Sequence, residues 1–279
     1  MGKVLAALIS LAALALVITL LLMRGEKEGP PSPAAGGGTS EAGVTAPEPG
    51  GGETTGGGGG ETRAPQPGGE GAVSIRAVFV GTPPAPARHS TGEFAEPCGA
   101  PAVEDRTLRV AAAGGVADVV VELLRDGVAV EPSPEPVPFG QQGCVFAQPV
   151  VVVTEGSTVL FTNSDGVEHN VRMTSIPNRL SGEARAVPPG GLPLTLARRD
   201  RIEVTCSLHA WMRAALVVTG TPYHALTAED GAARLEGVPA GAWRIRVWHP
   251  SRDVSIEAPK EVVVPADGAA ALEIRLSPR

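Results

Sequence analysis

Apolar positions follow three rhythms along this chain. From Val4 to Met23 they run without a charged residue for about twenty positions, the length that crosses a hydrocarbon core as a helix. From Gly25 to Gly71 they nearly vanish: the stretch is Gly, Pro, Glu, Ser and Thr, with Gly56 to Gly60 in a row. Such a segment buries too little surface to offset its ordering entropy, and reads as a disordered tether with an r.m.s. span of about 35–40 Å. From Ala72 onward the apolar residues come in short alternating or Val-rich runs, among them VSIRAVFV, VADVVVEL, VVVVT, TVLFT, RIEVT, AALVVTG, WRIRVW and LEIRL. Turn signals such as Glu155-Gly156, Ser164-Asp165-Gly166, Asp230-Gly231 and Asp267-Gly268 separate them. No 3.6-residue period lasts for ten residues outside the first run, so the pattern predicts an all-β body of one β-sandwich or two, with helix scarce.

Charge then orients the chain. Lys3 and the amino terminus precede the apolar run, while Arg24 and Lys27 beyond it are interleaved with Glu26 and Glu28, which favours a cytoplasmic amino terminus. Residues 1–23 are therefore expected to be a single-pass signal-anchor, residues 24–71 the tether, and the folded body to lie in the periplasm or outside the cell. The alternative is secretion after signal cleavage. The net charge of -7 and pI near 5.3 offer no positive field to a polyanion, so no nucleic-acid partner is expected. Three cysteines are too few for a disulfide scaffold and, in an exported chain, suggest one pair plus one thiol with another task.

That task is suggested by Cys206-Ser-Leu-His209-Ala-Trp-Met212, a C-x2-H-x2-M loop between RIEVT and AALVV. A thiolate, an imidazole and a thioether on one tight loop suit copper that cycles between two oxidation states, because soft sulfur favours Cu(I) and imidazole accepts both. A second imidazole is needed, and His169 in Asp165-Gly-Val-Glu-His169-Asn170 is the candidate. The expected centre is a His2Cys plane of His169, Cys206 and His209 with Met212 as a long axial ligand. Zinc leaves Met212 unexplained. A hydrolase built on Cys206 and His209 lacks an evident third group to orient the base. Four ligands would shield the metal, so a carrier is expected, not an enzyme.

With these residues in view, the segment from about Gln141 to Gly220 resembles the cupredoxins, the blue copper proteins of electron transfer. VVVVTEGSTVLFTNSDGVEHNV looks like their strand, turn, strand and His-Asn, and TCSLHAWMRAALVV like their ligand loop and last strand, with the short spacing of the amicyanins. The resemblance implies His169, Cys206, His209 and Met212 as ligands of one copper ion, and Asn170 as the residue whose backbone N–H donates to the cysteine sulfur. A second resemblance is carried by Asp230-Gly231, Gly237-Val-Pro-Ala-Gly241, Trp243 and Trp248, with AVSIRAVFV and VADVVVELL before the copper segment. These look like a carboxypeptidase regulatory-like, transthyretin-type sandwich. The two together resemble exported bacterial methylamine-utilisation-like proteins. The domain reading is a split flanking sandwich, 72–130 plus 221–279, interrupted by a cupredoxin Greek-key sandwich at 131–220, or else two domains in series.

Several expectations follow. The chain is expected to carry single electrons between redox proteins, a c-type cytochrome, an oxidase or a dehydrogenase; the rival is a cell-surface structural or copper-holding module. Docking is expected at an exposed edge of His209 ringed by apolar Leu208, Ala210 and Trp211, of which Trp211 suits the core equally well. His89, His224 and His249 read as ordinary surface or edge residues, and Trp243 and Trp248, on opposite faces of one strand, as packing. If Cys206 is kept as a thiolate for copper, Cys98 and Cys144 remain to pair in oxidising surroundings.

Overall fold

A computed structural model describes residues 68–279. The proposed anchor at 1–23 and nearly all of the tether at 24–71 lie outside the described residues, among which no helix is long and apolar enough to cross a membrane. The described chain is all-β, its only helical element being one 3-10 turn at Gly92–Phe94.

Two pairs of sheets each enclose a core. In the first pair, Glu70–Phe79 runs between Ala232–Pro239 and Ala269–Pro278, with Val254–Glu257 at the far edge. Its facing sheet orders His224–Leu226, Val120–Leu124, Gly241–Trp248 and Glu261–Val264. Val73, Ile75, Ala77, Leu123, Trp243, Leu272 and Ile274 fill the space between them. In the second pair, a five-stranded sheet orders Leu180–Ala186, Asn170–Ser175, Asp200–Thr205, Arg213–Thr219 and Val150–Thr154, against Leu192–Thr195, Thr158–Asn163, Val137–Gln142 and Val145–Phe146. Phe139, Phe161, Val171, Ile202, Val204 and Leu216 form this second core.

Burial patterns show why these segments are strands and where each faces. Asp200–Thr205 alternates, with Ile202 and Val204 inward and Arg201 and Glu203 outward, as a half-buried strand must. Arg213–Thr219 does not alternate: every residue after Arg213 is buried. One face packs into its own core, while Ala215 and Val217 meet Val150 and Val120 in a third cluster between the two sheet pairs. Trp243 is enclosed in the first core and Trp248, on the other face, packs against this seam. A buried carboxylate, Glu122, sits here too: it accepts from Thr219 Oγ1 at 2.6 Å and lies 3.6 Å from Arg201 and 3.5 Å from Arg246.

A short ribbon, Arg88–Ser90 paired with Ala102–Glu104, stands apart from both sheet pairs. The turn between its strands carries Cys98, which is disulfide-bonded to Cys144 in the tight turn between Val137–Gln142 and Val145–Phe146. Cys206 is the free, buried cysteine.

Candidate metal centre

The Cys206–Met212 loop is closed by the strands on either side of it. Thr205 pairs with Arg213, Cys206 N–H donates to Met212 O at 3.3 Å, and Met212 N–H donates to His209 O at 2.9 Å. Thr205 also pairs with Arg172, which draws the start of Asn170–Ser175, and His169 just before it, alongside the loop. The Asn170 side chain fastens the two segments, its Oδ1 accepting from Ser207 N–H at 2.8 Å. As a result His169 Nδ1 lies 3.0 Å from His209 Nδ1, and Cys206 Sγ 3.8 Å from that same nitrogen. One donor atom from each of the three falls within 4.8 Å of the others, and all three residues are buried. Met212 is buried in the same apolar cluster as Cys206.

The surroundings make the Cys206 thiol more acidic. Burial alone would raise the Cys206 thiol, but His169 and the backbone N–H groups of Asn170, Leu208 and His209 outweigh it and hold the thiol below its usual range. Burial would likewise depress His169, yet Cys206 and Asp165 lift it above an ordinary histidine. His209 is lowered, first by burial and then by the charge of His169.

Asp165 was not among the residues singled out by sequence, and it orients the site. Its carboxylate accepts from Gly143 N–H at 2.6 Å and Cys144 N–H at 2.9 Å, and lies 2.8 Å from His169 Nε2. Because a carboxylate only accepts, Nε2 carries a ring proton, which in the neutral ring leaves Nδ1, 3.0 Å from His209 Nδ1, as the lone-pair atom. Burial pushes Asp165 up; the N–H of Cys144, His169 and the N–H of Gly143 together bring it below its usual value. The signal available in the sequence was a turn aspartate four residues before a histidine.

The docking expectation needs correction. Leu208, 51% exposed, and Ala210 are at the surface, but Trp211 is half-buried, its Nε1–H donating to Cys144 O at 2.9 Å. His209 has no exposed edge: it is only 1% exposed, with Phe94 edge-on at 4.5 Å between centroids and Trp211 at 5.2 Å. Phe94 comes from the disulfide-bonded ribbon, over a hundred residues earlier, so no local pattern announces it. His249 is also corrected. It is 4% exposed, with Nε2 3.2 Å from Ala117 O and Nδ1 accepting from Ser251 N–H, because the chain turns inward after Trp248. His89 stays partly exposed beside Asp105, and His224 lies half-buried with Nδ1 near Thr221 O.

The donor set fits copper: two imidazole nitrogens and a low-lying thiol are convergent and dry, with a thioether residue closing the same loop. Cys144, Asp165 and His169 also cluster, but Cys144 is committed to its disulfide. No family model matches this chain, and no curated protein does. Among solved structures, an amicyanin variant in its reduced Cu(I) form is 20% identical over 36% of this chain and 98% of its own, at TM-score 0.26. A copper-containing nitrite reductase from Thermus scotoductus is 20% identical over 35% of this chain and 25% of its own, also at TM-score 0.26. A likeness at that level defines no family for this chain.

Proposed function

We propose that this chain is a membrane-tethered, extracytoplasmic copper protein that carries single electrons between redox proteins. The observation that carries this reading is the meeting of His169 Nδ1, His209 Nδ1 and Cys206 Sγ in one buried pocket. On this reading His169, Cys206 and His209, together with Met212, would hold the metal. Copper bound there supplies a Cu(I)/Cu(II) couple. The protein's share is to keep Cys206 as a thiolate, to fix His169 through Asp165, and to exclude water, so that neither oxidation state demands a new arrangement. Four protein ligands would leave a bound metal no open position for a substrate, which favours a carrier over a catalyst.

The Cys98–Cys144 bond supports export to an oxidising compartment. The segregation of strands supports a module inserted at 131–220 into a flanking β-sandwich. The partner would be a redox protein docking over the exposed part of the ligand loop, Leu208 and Ala210.

Full-length protein loaded with Cu(II) is expected to show an intense thiolate-to-copper band in the visible, lost in Cys206→Ala. Colourless, weakly held copper would overturn the reading. The burial of His209 specifically favours one rival, a copper-holding module. Voltammetry separates the two: a reversible one-electron couple supports the carrier, and tightly bound copper without one supports holding.

A further inference from the structure

The ribbon that carries Phe94 belongs to neither sheet pair, yet it supplies a wall of the metal pocket. Its residues, Ser-Thr-Gly-Glu-Phe-Ala-Glu-Pro-Cys-Gly-Ala-Pro from Ser90 to Pro101, contain a single large apolar side chain, Phe94. A two-stranded ribbon of this kind is marginal on its own in water. Thr91 organises it from within: its N–H donates to Pro101 O at 3.0 Å, its Oγ1 to Ala100 O at 2.6 Å, and its carbonyl accepts from Phe94 N–H at 2.9 Å. Cys98 N–H then donates to Phe94 O at 2.9 Å, so the disulfide half-cystine and the aromatic are linked through the backbone. On the opposite side, the carbonyl of Cys144 accepts from Trp211, which also flanks His209. The Cys98–Cys144 bond thus holds Phe94 over the imidazole.

We propose that Ser90–Pro101 is a cap on the metal site, with Phe94 the positioning residue that seals His209 and the Cys98–Cys144 bond its latch. The cap leaves the pocket closed to small external ligands, so electron exchange proceeds across an intact protein shell, and a metal ion enters or leaves only when the cap lifts. The metal itself rests on the function proposed above; the sealing of His209 is a property of the chain alone.

Both parts are tested on the full chain. In metal-free protein, carbethoxylation of each histidine by diethyl pyrocarbonate is followed by peptide mass spectrometry, with half-buried His224, outside the ribbon, as internal reference. His209 should react far more slowly than His224. Phe94→Ala, and separately the double change Cys98→Ser with Cys144→Ser, should speed His209 by about tenfold or more while His224 is unchanged, since each lowers the free energy of local opening. Phe94→Leu, which keeps the bulk, should stay near the wild-type rate and guards against a folding artefact. Treating the wild type with dithiothreitol gives a second route: the reagent's two thiols become a disulfide, and Cys98 and Cys144 take up the two electrons and two protons. Equal reactivity of His209 and His224 in the wild type, or no acceleration by any opened form, would overturn the cap. Copper-loaded protein supplies the second reading: azide should perturb the visible band in Phe94→Ala and not in the wild type. Were the band absent throughout while His209 remained protected, the copper reading would fail and the cap would stand.

Discussion

At the scale of single residues, two buried groups set the sensitivity of the molecule. Asp165 satisfies two backbone N–H groups and one imidazole N–H. Asp165→Ala would orphan all three donors, and is expected to cost about 2–4 kcal/mol in denaturant unfolding of metal-free protein and about 10–100-fold in copper affinity. An affinity unchanged within twofold would remove Asp165 from the site. His249 acts on pH instead. Burial holds it down to about 4 from an ordinary value of 6.5. Between those values the unfolded chain binds a proton that the folded chain refuses, so stability falls as pH drops from 6.5 towards 4. At about 1.4 kcal/mol per pH unit the loss approaches 3 kcal/mol. Urea midpoints of the wild type at pH 7 and pH 4.5 should differ by more than those of His249→Asn; parallel profiles would show that other groups govern acid sensitivity.

At the scale of elements, the disulfide matters most. Cys98 and Cys144 are 46 residues apart, and closing such a loop restricts the unfolded chain by about 4 kcal/mol in the chain-entropy model. Unfolded, unreduced, metal-free protein should present one titratable thiol, Cys206, and the Cys98→Ser, Cys144→Ser double change should lower stability by up to that amount. Three titratable thiols would contradict the bridge. The pairing was legible from cysteine arithmetic, the alternating strands from their period, because one sheet face meets a core and the other meets water, and the Val-rich strands from their unbroken β-branched runs. Leu180–Ala186 and Leu192–Thr195 were not legible. They are mostly exposed edge strands, Leu180–Ala186 a polar hairpin arm on Asn170–Ser175 and Leu192–Thr195, with Pro193 inside it, a strand only through pairing with the distant Thr158–Asn163. The same distinction holds at the candidate site. The meeting of Cys206 with His209 was legible because their loop spacing is local, whereas Phe94 reaches His209 only through tertiary placement.

At the scale of the whole molecule, the two sheet pairs are joined along a seam whose apolar part is Val120, Val150, Ala215 and Val217. The Val-rich strands on either side lack alternation for this reason: their outer faces are covered by each other. Glu122 makes the seam specific. Its carboxylate, nearly fully buried on Val120–Leu124, takes a hydrogen bond from Thr219 of the other sheet pair and faces Arg201 and Arg246, with Arg201 also over the Trp248 ring at 5.7 Å. A buried acceptor with a charge-assisted partner stabilises by about 1.5–3 kcal/mol, and removing it leaves two guanidinium groups facing each other. Glu122→Ala is therefore expected to cost about 2–3 kcal/mol and to uncouple the two sandwiches, so that one calorimetric transition becomes two. Glu122→Gln, which keeps an acceptor for Thr219 but not the charge, should fall between. A single transition with an unchanged midpoint in both variants would mean that the apolar contacts alone hold the seam.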